Sequence, residues 1–482
     1  MIISKSDITR IEAYLWEIPK SFSPKMRVPA RILASETLLD NIMEDRSLVQ
    51  LVNVASLPGI QGASLVMPDV HEGYGFPIGG VAATVYPEGA ISPGGIGYDI
   101  NCGVRLLTSQ QKITDIRDRL ESLSKELYAQ IPSGMGKGGQ IKLSLQEIDE
   151  VLHNGAEWAV QKGYGVNDDL AFMESNGRLH NADASMVSEM AKKRGADQLG
   201  TIGSGNHFVE VDYVEEVFDE TIAKSYGLSK NQVVVLIHTG SRGLGHQVAT
   251  DYIRQIMAAM PTYDIEVPDR ELACVPFNSQ EGQNYFKAMG AAANYAWCNR
   301  EIISWEVRRA WKNIFGPTIE PLKLMYDVAH NIAKIEEHSI EGKRIKVIVH
   351  RKGATRAFGP GFGELPEKYR NVGQPVIIPG SMGTCSYVLA GTDKSMQLTF
   401  GSCCHGAGRR LSRTAAKKQV NAPVLKEQLK EKGIFVEAGS FKGIAEEAPI
   451  AYKDVNRVVE TVSDSGIAKK VVKLRPVAVV KG

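Results

Sequence analysis

Three apolar runs in this sequence end on a histidine: VVVLI before His238, MYDVA before His330 and IKVIV before His350. A sheet holds a residue at its strand end rigidly, while the loop beyond is free to carry a site. One such histidine is as often a hydrogen-bonded structural residue as a functional one; three argue for a shared centre. The segment SPGGIGYDINCGVR (92–105) adds Asp99 and Cys102, three residues apart in a glycine-bracketed turn. From there a carboxylate and a thiolate can reach one metal ion or two adjacent ones. GSGNHFVE (203–210) supplies Asn206, His207 and Glu210, with His207 entering a strand. The set Asp99, Cys102, His207, His238 and His330 thus mixes oxygen, sulfur and nitrogen donors, which suits borderline divalent ions such as Mn, Zn, Fe or Co. A purely structural zinc site would favour paired cysteines at short spacing.

A second group of residues suits phosphate. IPGSMGTCSYVLAGT (378–392) and HGAGRR (405–410) are small-residue loops whose N–H groups can bind anionic oxygens, and arginines follow the second. Neither loop has the G-x-x-x-x-G-K-[ST] pattern of a P-loop. His405, between Cys404 and Gly406, is open to three readings: metal ligand, loop residue, or participant in chemistry. Asp69, His71 and Glu72 in MPDVHEGYGFPIGG (67–80) are either further site residues or parts of a hydrogen-bonded turn. Basic clusters occur at Lys192, Lys193 and Arg194, at Arg351, Lys352 and Arg356, and at Arg409, Arg410, Arg413, Lys417 and Lys418.

Elements of both kinds must carry these groups. Helical spacing of apolar residues marks 114–130, a capping box at Ser144 and Glu147 opens a helix to about 162, and a third helix runs over 184–194 with Gly195 as its cap. The longest helical pattern spans 280–315, as one buried helix or a kinked pair. Strand patterns lie at 207–214, 232–240, 323–331, 344–353 and 374–381; several lack alternation, as strands covered on both faces do. No linker or repeat divides the chain. The expected fold is therefore one large α+β domain over 1–482, with mixed β-sheets packed against helices and the site at strand ends and glycine-rich loops.

Composition narrows the function classes. A formal charge of +1 excludes a grossly basic nucleic-acid binder, so any polyanion must be held by a local patch. No apolar stretch approaches the ~18 residues of a membrane span, and the N-terminus lacks a signal-peptide pattern, so a cytoplasmic protein is expected. Six cysteines are too few for a disulfide scaffold and should be thiols. Cys274, Cys298 and Cys385, among apolar or small neighbours, read as core fillers, and the adjacent Cys403 and Cys404 lack a redox spacing.

The strings SPGGIGYDINCGVR, GSGNHFVE, VVLIHTGSRGLGHQV, YDVAHN, VHRKGATRAF, IPGSMGT and GSCCHGAGRRLSR together resemble the RtcB family of GTP- and manganese-dependent RNA ligases, from near residue 28 to Lys481. The resemblance implies an enzyme that joins RNA 2′,3′-cyclic phosphate or 3′-phosphate ends to 5′-hydroxyl ends, in tRNA splicing (tRNA exon halves) and the repair of broken RNA. It implies two Mn2+ ions bridged by Cys102, with Asp99 and His207 completing one site and His238 and His330 the other. It implies His405 as the residue that becomes guanylylated. GTP would be held by Asn206, His207, Phe208, Val209 and Glu210, by His330 and Asn331, by Pro379, Gly380, Ser381, Met382 and Ser386, by His405, Gly406, Ala407 and Gly408, and by Lys481. Arg409, Arg410 and the 351–356 patch are expected to hold RNA phosphates, and an archease-type helper is an expected partner. One departure is Cys403, where the family pattern has threonine; it leaves the histidine and glycines intact and could make the loop more sensitive to oxidation. The same ligands would also serve a two-metal phosphoesterase, or a non-catalytic RNA-binding protein with structural metals.

Overall fold

The strands predicted around His207, His238 and His330 fall in one sheet, the larger of the two main sheets, while the strand carrying His350 falls in the other. In the computed structural model, which describes residues 2–134 and 136–482, the larger sheet has eight strands. Seven run in the order Lys323–Ala329, Gly103–Lys112, Gln232–Thr239, Phe208–Val217, Ala468–Lys481, Ser386–Gly391 and Pro375–Ile378, each antiparallel to its neighbour. Phe435–Ala438 lies parallel to the end of Ala468–Lys481. All eight residues of Gln232–Thr239 are buried, which explains why that segment shows no alternation.

The second sheet has seven strands in the order Thr9–Glu12, Leu15–Ile18, Ala30–Leu33, Ile60–His71, Ile78–Val85, Lys343–Lys352 and Asn331–Ile340. Only Ala30–Leu33 and Ile60–His71 pair in parallel. The expected α+β architecture, with mixed sheets packed against helices, is the one observed. Ile60–His71 escaped the sequence reading because its register against Ile78–Val85 shifts twice, so no clean period of two survives.

Gln280–Phe315 forms a single helix of 36 residues, opened by Ser279, whose hydroxyl accepts the Gly282 N–H. Its middle is sheathed on all sides: Ala288, Ala291, Ala292, Ala293 and Ala296 are fully buried beside Trp297. The polar residues between them bind loops. Asn294 accepts the Leu179 N–H and donates to Leu152 O, while Asn299 accepts the Gly200 N–H and donates to Gly240 O.

Three shorter helices depart from expectation. The capping box forms, with the Glu147 N–H donating to Ser144 Oγ and the Ser144 N–H to the Glu147 carboxylate, but the helix breaks at Gly155 (φ +58) into Leu145–Asn154 and Ala156–Gln161. A Cβ at Gly155 would lie 2.3 Å from Gly177 O, so the break is also a close chain crossing. A 3-10 turn, Arg117–Arg119, interrupts the 114–130 helix. The third helix is Glu189–Gly195, capped by Ala196 rather than Gly195.

The 351–356 patch is corrected by this structure. Arg351 is fully buried and grips Glu336 with two hydrogen bonds of 2.6 and 2.9 Å, while also donating to Ser402 Oγ and Phe400 O. Arg356 is equally enclosed, with Glu364 at 2.6 Å and Glu174 at 3.7 Å. Their charges are spent inside the fold, where no RNA phosphate reaches them. Removing one partner of a buried pair leaves the other charged without compensation, at about 3–5 kcal/mol. Arg351→Ala should lower unfolding stability by that amount in a denaturant titration, and Arg351→Ala with Glu336→Ala should lose less than the sum of the single changes.

Candidate active site

Antiparallel pairing brings four chain segments to one edge of the eight-stranded sheet. Gly103–Lys112 and Phe208–Val217 begin there, and Gln232–Thr239 and Lys323–Ala329 end there. Asp99 and Cys102 lie on the turn before the first, His207 directly before the second, His238 in the third and His330 directly after the fourth. Two three-residue groups result, Asp99–Cys102–His207 and Cys102–His238–His330, each with donor atoms within 4.8 Å of one another and with Cys102 common to both.

Cys102 Sγ lies 3.4 Å from His207 Nε2 and 3.3 Å from His238 Nε2; His238 Nε2 and His330 Nε2 are 3.3 Å apart, and Asp99 Oδ2 is 2.9 Å from His207 Nε2. Donor atoms converging this closely are the arrangement a divalent cation relieves, and the mixed donor set fits a borderline ion. Burial pushes the Cys102 thiol well up and holds His238 and His330 well below the usual imidazole range. The imidazoles are therefore neutral and ready to ligate, while the thiol needs a nearby positive charge to ionise. Burial works to raise the Asp99 carboxyl, but the hydrogen bond with His207 leads the opposing effects and brings it to about 2.

The surroundings fix how the donors point. His238 Nδ1 is 3.1 Å from Asn206 O, which turns Nε2 toward Cys102. Asp99 Oδ1 accepts the Ser241 N–H at 3.0 Å; a Cβ on the neighbouring Gly240 would sit 2.4 Å from that same oxygen, so only glycine fits. Below them, Arg300 of the long helix donates to Asn101 O (2.7 Å), Thr239 O (3.0 Å) and both oxygens of Asp327 (2.8 Å each). Asn101 precedes Cys102, Thr239 follows His238, and Asp327 is three residues before His330. One buried guanidinium thus registers three ligand-bearing strands.

His405 follows the short strand Ser402–Cys404, which pairs with Ala354–Arg356. Its ring centroid is 4.8 Å from that of His330. Asp69, fully buried, places Oδ2 2.7 Å from His405 Nδ1, out of line for a good hydrogen bond, and accepts the His405 backbone N–H at 3.2 Å. Nε2 is left without a partner among the described residues. Of the undecided trio in 67–80, Asp69 and His71 therefore belong to the site, and Glu72 lines its rim.

These groups open into a cavity of about 690 Å³. All of the expected nucleotide residues line it except His207, Val209 and Ser386. His207 belongs to the metal cluster, Val209 faces the core, and Ser386 Oγ accepts the Gly380 N–H at 3.2 Å from beneath the loop. At the far end, Lys481 Nζ lies 5.5 Å from the Phe208 ring centroid and donates to Gly205 O at 3.1 Å. Burial, opposed by Lys481, raises Glu210 to about 8.

Sequence reasoning missed Glu447. Flanked by Glu446 and Ala448, it reads as part of a solvated acidic stretch, yet it is buried and binds Arg409 (3.1 Å), Arg413 (3.4 Å) and the Tyr452 hydroxyl. Lys352, expected with its neighbours to hold RNA phosphates, lines the cavity, and burial lowers it to about 7. His350 stands apart from the site, with Nε2 accepting the Ser92 N–H at 3.2 Å, so it is a structural histidine. All six cysteines are free and buried; Cys403 sits in the core with no exposed thiol, which removes the expected sensitivity to oxidation.

Fold and site define a metal- and nucleotide-dependent enzyme. Residues 50–482 match the family model described as tRNA-splicing ligase RtcB. The chain is 54% identical over 477 residues to the tRNA-splicing ligase RtcB of Thermococcus kodakarensis, and equally so to that of Archaeoglobus fulgidus, covering 98% of this chain and 99% of each relative. The protein of that name in Methanococcus maripaludis is 52% identical over 480 residues, covering 99% of this chain and all of the relative. This chain belongs to the RtcB family.

The shared thiol makes a graded expectation for metal binding. Equilibrium dialysis with elemental analysis should find two divalent ions per wild-type chain, one fewer for Asp99→Ala, and weakened binding of both for Cys102→Ala. Arg300→Lys, which keeps the charge and loses the fork, should weaken binding about 10- to 100-fold, as loss of a ligand-orienting group does.

Proposed function

We propose that this chain joins RNA 2′,3′-cyclic phosphate or 3′-phosphate ends to 5′-hydroxyl ends through a covalent His405–GMP intermediate, using GTP and two Mn2+ ions. It is an RNA ligase of tRNA splicing, and its whole length, 1–482, is read as one catalytic unit. The observation that carries the intermediate is the setting of His405: a buried carboxylate at Nδ1, an unpartnered Nε2, and a candidate metal ligand, His330, in ring contact.

In the first step the His405 Nε2 lone pair attacks the α-phosphorus of GTP. The bond to the bridging oxygen breaks and pyrophosphate leaves with its electron pair, while Asp69 balances the charge on the imidazolium through Nδ1. An oxygen of the RNA 3′-phosphate then attacks the phosphorus of the enzyme-bound GMP, and the P–N electrons return to His405. Finally the 5′-hydroxyl oxygen attacks the activated 3′-phosphate, GMP departs, and the hydroxyl proton is lost as the phosphodiester forms. A cyclic phosphate first takes up one water to become the 3′-phosphate. When bound by Asp99, Cys102, His207, His238 and His330, Mn2+ ions would neutralise charge on the reacting phosphates.

Selection of guanine rests on Glu210 and Lys481 in the cavity lining. The Glu210 carboxyl, kept protonated at neutral pH by burial, accepts through its carbonyl oxygen from the N–H edge of guanine, and the Lys481 ammonium matches the guanine carbonyl oxygen, which adenine lacks. The glycines and small residues from Gly406 to Gly408 leave room for phosphates against main-chain N–H groups. Arg410 and Arg413, exposed at the rim, supply charge for RNA. The cytoplasm is the expected compartment, and an archease-type helper is a candidate partner.

Incubation with Mn2+ and GTP labelled at the α-phosphate should leave acid-labile, alkali-stable label on denatured wild-type protein and none on His405→Ala. Asp69→Asn should label about 10²- to 10⁴-fold more slowly, the range of a lost acid–base partner. An unlabelled wild type that still hydrolyses RNA phosphates would identify a phosphoesterase instead, and label on His405→Ala would move the nucleophile elsewhere.

A further inference from the structure

The wall of the cavity nearest Asp99 carries an aromatic stack that the proposed chemistry does not use. Tyr98 immediately precedes Asp99 and lines the cavity, as Tyr74 does. The Tyr98 ring lies on the His246 imidazole with centroids 4.7 Å apart and planes inclined by 24°, and meets Tyr74 edge-on at 5.4 Å. Neither tyrosine is fully buried, and His246 is exposed on the first turns of the helix Arg242–Ala259. Tyr98 packs in part against the apolar core, but its nearly parallel partner His246 is an exposed imidazole that no core requires. The arrangement is also fixed from behind, since Lys352 Nζ donates to Tyr74 O and to Phe76 O.

Charge around the stack is divided. On the His246 side, Arg194 is exposed and donates to Gln247 at 2.8 Å, and Arg242 stands one helical turn before His246. On the Tyr74 side the cavity is lined by Asp45 and Glu72. A nucleotide entering with its phosphates toward the arginines would turn its base, an uncharged flat ring, onto the aromatic wall. Stacking on such rings is tolerant of sequence because every base has a π-face. An enzyme that joins ends of differing sequence needs that kind of hold.

Resting on the RNA-joining reading above, we propose that Tyr98, with His246 and Tyr74, forms a stacking platform for the nucleobase of the terminal nucleotide at one of the two RNA ends. The platform sits one residue from the carboxylate of the metal cluster, so a base held there brings its own terminal phosphate or hydroxyl to the reacting centre. It is sequence-indifferent and requires only that a base be present.

The test is ligation by the full-length protein with Mn2+ and GTP, using RNA pairs that carry an abasic residue at the terminus of the 3′-phosphate strand, of the 5′-hydroxyl strand, or of neither. In wild type the abasic residue at one end should raise KM about 5- to 100-fold, the scale of one base–aromatic stack, and the end that responds identifies which strand is held. In Tyr98→Leu the intact RNA should already show the raised KM and the abasic penalty should vanish, while Tyr98→Phe should retain it. His246→Ala, a change at an exposed helix position, should reduce the penalty in the same direction and serves if Tyr98→Leu fails to fold. Equal penalties in wild type, Tyr98→Leu and His246→Ala, or a wild type indifferent to both abasic ends, would overturn the platform. Absence of joining by wild type on intact RNA would instead overturn the ligase reading.

Discussion

Holding a thiol and three imidazoles face to face in a dry pocket is the constraint around which this molecule is organised. Such a cluster gains from a cation: the nitrogens at 3.3 Å and the sulfur between them press acceptor atoms together, and burial disfavours the charged forms of Cys102, His238 and His330. The scaffold supplies the rigidity. Four antiparallel strand ends share one edge, and Arg300 ties three of them by hydrogen bonds to backbone and carboxylate. Arg105 and Trp297 complete the bonding of Asp327, so its carboxylate is fully occupied and stays ionised, with burial outweighed by Arg300 and Arg105.

The long helix takes its meaning from this constraint. A helix buried on every side has no need of polar residues for packing, and each buried polar group must find a partner. Asn294, Asn299 and Arg300 occupy successive stretches of one helix and bind loops and strand ends that would otherwise carry unpaired carbonyls. Secondary structure here acts as the reference frame against which the site is measured.

Much of this was legible in the sequence because the chemistry is local. Asp99 and Cys102 lie in one turn, His207 opens a strand, and His238 and His330 sit at strand ends, so period and residue type together located the five donors. The extent of the 280–315 helix was readable for the same reason. What failed depended on long-range pairing. Arg351 and Arg356 look like a basic surface until Glu336, on the paired neighbouring strand, and Glu174, from a distant segment, are seen to enclose them. Glu447 looks solvated until Arg409 folds over it. A charge in sequence carries no mark of whether its partner is water or another residue elsewhere in the chain.

The histidines make the same point more sharply, because one residue type fills three roles in one protein. His350 ends a strand just as His238 does, yet it accepts a backbone N–H with Nε2 and has no reacting neighbour. His238 and His330 bring neutral Nε2 atoms together beside a shared thiol, which makes them candidate metal ligands. His405 is separated from both fates by Asp69, which takes its Nδ1 side and its main chain and leaves the opposite nitrogen facing a cavity large enough for a nucleotide. The imidazole is the same in each case; what differs is the set of groups around it, a backbone N–H for His350, a thiol and other imidazoles for His238 and His330, and a buried carboxylate for His405. Asp69 comes from Ile60–His71, a strand of the other sheet. The setting of His405, the proposed nucleophile, is thus defined only where the two sheets meet, while the candidate metal donors belong to one sheet edge. That division explains why the candidate donors could be read from local motifs and the setting of His405 could not.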